Sequence, residues 1–118
     1  MNSQTVVLAL QKARDEYRML ASEETFEEVV RNFSKPKFSK YTKHHDIKAD
    51  LKDIADFSYF INVTTRVNEC RHEKDNKFLE LAVSGGARVI LSGDNDLLSM
   101  HPWRGISIVN PIDFLKMI

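Results

Sequence analysis

Residues 74–98, KDNKFLELAVSGGARVILSGDNDLL, contain a change of hydrophobic period that few architectures accommodate. From 75 to 84 the apolar residues Phe78, Leu79, Leu81 and Ala82 share one helical face. Gly85-Gly86 then offers a left-handed helix cap. The next stretch, 88–92, has an unbroken apolar centre, Val89-Ile90-Leu91. A strand that is apolar on both faces must be covered on both faces, which is the environment of a parallel sheet flanked by helices.

The rest of the chain repeats this alternation. Val7, Leu10 and Ala13 have helical spacing within 4–17, and the mixed segment 17–22 reads as a short strand. Ser22 is placed to cap a helix over 22–33, with Thr25 in its first turn and Phe26, Val29, Val30 and Phe33 as its apolar stripe. Pro36 ends that helix, because the residue before a proline is driven out of the helical region. Two further helices are expected near 37–44 and 46–57, then a strand over 58–67, rich in aromatic and β-branched residues. A strand at 105–109 and a helix at 110–118, with Asn110 at the cap and Pro111 at its first position, complete the pattern. The expectation is one α/β domain over residues 1–118 with a central parallel sheet between helical layers.

Charge and composition remove several function classes. Lys+Arg and Asp+Glu are both 17, so bulk electrostatics supply no argument for nucleic acid or membrane binding. No apolar stretch reaches membrane-spanning length, and the first residues lack the pattern of a signal peptide. The lone Cys70 excludes an internal disulfide framework and fits a reducing, cytoplasmic setting. Among the histidines, His44-His45 are adjacent while His72 and His101 are isolated, so no zinc spacing is present.

Against this neutral background, carboxylates gather at both ends of the αβ unit. Ligands of parallel sheets bind beyond the carboxyl ends of the strands, where Asp94 and Asp96 follow Ser92-Gly93. Asp75 opens the helix that packs antiparallel on that strand, so it reaches the same rim. Glu28 joins them if its helix leaves the rim after the 17–22 strand. Clustered carboxylates repel unless a cation is present, and hard ions such as Mg²⁺ or Mn²⁺ favour oxygen ligands. Each acid also has a purely structural reading: Asp75 and Asp94 as helix caps, Asp96 in a first turn, and Glu28 on a solvated acidic face beside Glu23, Glu24 and Glu27.

The order of these motifs carries a family resemblance. SEETFEEVVRNFSKPKF, then DNKFLELAVSGGARVILSGDNDLL, then GISIVNPIDFL resembles the PIN-domain family, nearest its bacterial toxin–antitoxin branch of VapC-like toxins. The resemblance implies a three-layer α/β fold and a Mg²⁺- or Mn²⁺-dependent ribonuclease whose ion is held by a carboxylate quartet. Carried onto this sequence, Glu28, Asp75 and Asp94 match metal-binding acids, Asp96 stands beside them in the catalytic group, and Ser92 matches the residue that orients the site. It further implies an RNA substrate and a cognate antitoxin protein.

Two departures accompany the resemblance. The family's first strand, ending in Asp-Thr-Asn and supplying a central ligand, has no counterpart, and the chain opens at what looks like the following helix. His72-Glu73 stands where an Asp-Pro pair is usual. A missing mid-sheet strand predicts an apolar gap, hence a rearranged sheet or a homo-oligomer, and weakened metal affinity. The same residues therefore fit three readings: an active endoribonuclease, a degenerate member that binds RNA or protein without turnover, or a shortened gene model of an active nuclease. A basic segment, 31–52, holds Arg31, Lys35, Lys37, Lys40, Lys43, Lys48 and Lys52 around Tyr41, His44 and His45. It either follows an RNA backbone, with Tyr41 stacked on a base, or forms a solvated helical hairpin. Trp103 reads as a loop anchor.

Overall fold

The computed structural model describes residues 3–33 and 47–117. The elements follow the alternation: α1 (Ser3–Glu16), β1 (Met19–Ala21), α2 (Glu23–Phe33), α3 (Ile47–Phe57), β2 (Ser58–Phe60), a 3-10 turn (Glu73–Asp75), α4 (Asn76–Gly85), β3 (Val89–Leu91), α5 (Asn95–Leu98), β4 (Ser107–Val109) and α6 (Pro111–Leu115). The helix expected at 37–44 lies outside the described residues.

Among the described residues both strand pairs are parallel, as the intervening helices allow, and one isolated antiparallel bridge joins Trp103 and Ile106. The strands do not, however, form one continuous sheet. β1 pairs with β2, Leu20 opposite Tyr59, and β3 pairs with β4, Ile90 opposite Ile108. Side chains join the two pairs. Met19 from β1, with Val89, Leu91 and Val109 from the other pair, packs against Ala9, Ala13 and Phe114 of α1 and α6. The alternate residues Ile90 and Ile108 face the other way, into a larger core with Val67, Leu79, Ala82, Leu97, Trp103 and Ile106. Strands thus lie between two helical layers.

Two local readings are sharpened. Gly86 alone is the left-handed cap of α4, at φ 68°, its N–H bonding back to Ala82 and Val83 carbonyls. Gly85 is still helical, and a Cβ there would come within 2.6 Å of Leu20 Cδ1, the movable end of a flexible side chain.

The strand expected over 58–67 ends at Phe60. Beyond it the backbone finds different partners. Thr64 and Thr65 N–H donate to Ser84 Oγ at 3.1 and 3.2 Å, and Val67 N–H donates to Glu80 Oε2 at 3.0 Å. Glu69 and Cys70 N–H donate to Asn76 Oδ1 at 3.2 and 2.9 Å. Asn76, Glu80 and Ser84 recur every fourth residue and so line one face of α4. This polar ladder takes the hydrogen bonds that a neighbouring strand would have taken, and it straps the segment against the helix. Trp103 is a buried member of the larger core, with the Arg104 guanidinium 4.6 Å from its ring centre.

Candidate metal centre

Three local devices bring acidic side chains to the end of β3. In the first, Ser92 Oγ accepts a hydrogen bond from Asp94 N–H at 3.0 Å, which closes the turn that leaves the strand. In the second, Asp94 caps α5 by accepting from Asp96 N–H at 2.8 Å. In the third, the 3-10 turn feeds α4, and Asp75 N–H donates to the His72 carbonyl at 2.9 Å. Asp75 occupies the cap position of α4 yet makes no side-chain capping bond. A purely structural cap therefore does not account for this acid.

Its carboxylate turns instead toward other functional groups. Asp75 is 6% exposed, and Oδ2 lies 3.1 Å from His72 Nδ1. Burial, and then a hydrogen bond to the neighbouring Asp94 carboxylate, push the Asp75 carboxyl above its ordinary value of 3.8, with His72 opposing them. Among the described residues, His72, Asp75, Asp94 and Asp96 each offer one ligand atom, and these atoms all lie within 4.8 Å of one another.

That donor set fits a divalent cation. An octahedral ion with bonds of about 2.1 Å has neighbouring ligands about 3.0 Å apart and opposite ligands about 4.2 Å apart. The His72–Asp75 spacing already matches an octahedral edge, and the widest separation needs only a small contraction. A cation would also offset the burial and the neighbouring Asp94 carboxylate that raise the Asp75 carboxyl.

The remaining site residues are placed as follows. Glu28, on α2, is not part of this group of four. Its carboxylate pairs with Lys77 Nζ at 2.9 Å and lies 3.8 Å from the Arg31 guanidinium. Lys77 sits in the first turn of α4, so Glu28 reaches the neighbourhood of Asp75 through a cation. Ser22 and Thr25, both buried, fix the start of α2 by exchange: Thr25 N–H donates to Ser22 Oγ and Ser22 N–H to Thr25 Oγ1. Asp96, besides facing the cluster, pairs with the exposed Arg71 guanidinium. Arg31 is exposed, whereas Lys35, Lys37, Lys40, Lys43, Tyr41, His44 and His45 lie outside the described residues. The side chain that the acid-based reading missed is His72. It stands three residues before Asp75, a spacing that a 3-10 turn brings onto one face.

The architecture defines a parallel α/β domain with carboxylates gathered beyond the strand ends. The chain belongs to the PIN-domain family, whose PIN domain matches residues 2–96. It has the nuclease fold of that family, whose members generally depend on divalent metal and act on RNA. It is also similar to an uncharacterized protein of Methanocaldococcus jannaschii, with 39% identity over 67 residues. That match covers 56% of this chain and 43% of the relative, so the chain spans less than half the length of the curated relative it matches. No solved structure matches it. Among the described residues, no helix is long and apolar enough to cross a membrane.

Proposed function

We propose that this chain is a divalent-metal-dependent endoribonuclease of the PIN type, acting in the cytoplasm as the toxin of a toxin–antitoxin pair. The observation that carries the nuclease reading is the convergence of Asp75, Asp94, Asp96 and His72 donor atoms within 4.8 Å at the end of a parallel strand. The toxin reading rests on the likeness of the motif order to VapC-like sequences, and a cognate antitoxin and self-association belong to the same proposal.

In this reading Asp75 and Asp94 hold the ion, and Asp96 completes the carboxylate set once released from Arg71. When bound, Mg²⁺ or Mn²⁺ supplies Lewis acidity for activating water and for stabilising charge on a phosphodiester. Ser92 holds the Asp94 turn in place. Glu28 acts through Lys77, fixing the first turn of the helix that Asp75 opens. Arg71, freed from Asp96, is an exposed cation beside the ion and suits a substrate phosphate. Arg31 begins the basic segment that would follow the RNA backbone.

The purified protein with Mn²⁺ should cleave fluorescently labelled single-stranded RNA, and Asp75→Asn should abolish cleavage. Cleavage that survives Asp75→Asn, or RNA binding without turnover, would refute the catalytic reading, the latter in favour of a binding module.

A further inference from the structure

The donor set differs from an all-oxygen site in one respect. His72 places an imidazole nitrogen 3.1 Å from Asp75 Oδ2, on an edge of the same donor cluster. We propose that His72 is a direct metal ligand and that the centre therefore selects a first-row transition ion, Mn²⁺ in the first instance, over Mg²⁺. This rests on the metal-dependent reading above and specifies which ion serves it.

The argument is one of donor chemistry and position. Imidazole nitrogen favours first-row transition ions, whereas carboxylate oxygens suit Mg²⁺, Ca²⁺ and Mn²⁺, so among the ions that a carboxylate set accepts it is Mn²⁺ that a nitrogen donor favours. Mg²⁺ prefers oxygen and retains its waters, so a nitrogen donor adds little to its binding. Three carboxylates and one imidazole keep enough hard character for Mn²⁺ while favouring it over Mg²⁺. The placement of the ring is built into the chain. The His72 carbonyl receives the Asp75 N–H, which ties the two residues into one turn and brings both side chains to one side. The His72 side chain is half exposed, at 53%, and belongs to neither apolar core, so the turn and its 3.1 Å contact with Asp75, rather than packing, set its position.

The test is electron spin-echo spectroscopy of Mn²⁺ added to the full chain, with Mg²⁺ as competitor. Bound Mn²⁺ should show ¹⁴N modulation from a coordinated imidazole, and excess Mg²⁺ should displace it poorly. His72→Gln should remove the ¹⁴N signal and weaken Mn²⁺ by about tenfold or more, the scale on which support of a metal site is usually lost. His72→Asp should also remove the signal while making Mg²⁺ a better competitor. Bound Mn²⁺ without ¹⁴N modulation in the wild-type protein overturns the inference, and so does a ¹⁴N signal that persists in His72→Gln. The wild-type spectrum is decisive by itself, so the inference does not depend on how the variants fold. Failure of Mn²⁺ to bind at all overturns the metal-centre reading itself, a result distinct from binding without nitrogen.

Discussion

Asp94 is the residue at which a structural role and the proposed metal-binding role can be separated by chemistry alone. It caps α5 through a 2.8 Å bond from Asp96 N–H, and it also offers a carboxylate oxygen to the donor cluster. Asn is as good a helix cap as Asp, because its side-chain oxygen accepts the same N–H. Asp94→Asn therefore keeps the cap and removes the charge. In the metal-free protein it should change stability by no more than a few tenths of a kcal/mol from the cap, with a small gain from relieved repulsion against Asp75. Asp94→Ala loses the cap as well, at about 1 kcal/mol. With Mn²⁺ at about one hundred times its dissociation constant, binding should stabilise the wild-type fold by about 2.7 kcal/mol. For a chain of 118 residues that is a rise in melting temperature of about 10 °C. The assay is thermal unfolding followed by circular dichroism, with and without metal, for the three proteins. The expected pattern is a metal-free melting point in Asp94→Asn equal to the wild type, with the metal-induced rise largely gone. A full metal-induced rise in Asp94→Asn would refute the reasoning by showing that the carboxylate is only a cap. A collapse of the metal-free protein would refute it from the other side.

Three further outcomes follow from the same geometry. The folded state raises the Asp75 carboxyl, so folding takes up protons; its contribution to stability is full below the ordinary value of 3.8 and is lost as pH rises through the raised folded value. In metal-free melts over that range, Asp75→Asn should flatten the decline and be the more stable protein at neutral pH. Leu79, 0% exposed at the centre of the larger core, should cost about 3–5 kcal/mol when replaced by Ala, read from urea unfolding midpoints at unchanged slope. Glu80→Ala leaves the buried Val67 N–H without its 3.0 Å acceptor and should cost about 1–3 kcal/mol, with faster amide exchange at Val67 as the local signature.

What was legible in the sequence was what local rules determine. The α4–β3 unit, the Ser22 and Asn110 caps and the parallel pairing follow from hydrophobic period, capping chemistry and alternation of elements, and all are found in place. The length of the 58–67 strand was not legible. Tyr59, Phe60, Val63, Thr64 and Thr65 favour extended backbone, but propensity does not say what the extended backbone bonds to. The answer was written elsewhere, in the four-residue spacing of Asn76, Glu80 and Ser84. The division of the strands into two pairs likewise depends on tertiary placement and not on any one segment. At the site, Asp75, Asp94 and Asp96 came together because each follows a turn whose geometry is local. Glu28 is not among them and instead pairs with the oppositely charged Lys77 at 2.9 Å. His72 was hidden because a single histidine carries little sequence signal, and only the 3-10 turn turns it toward Asp75.

Helix α4 has no idle side. Asn76, Glu80 and Ser84 hold the strap, Lys77 holds Glu28, Phe78, Leu79, Ala82 and Val83 build the larger core, Leu81 is buried, and Gly85 meets Leu20. None of its ten residues is exposed. An ordinary surface helix shows a repeating stripe of tolerant positions when every residue is replaced in turn. Here the tolerance profile should lack that rhythm, running intolerant from end to end, whereas α2 should show it at Glu23, Glu24 and Glu27. Sequence drift in such a protein is channelled away from the helix that Asp75 opens and toward the elements around it.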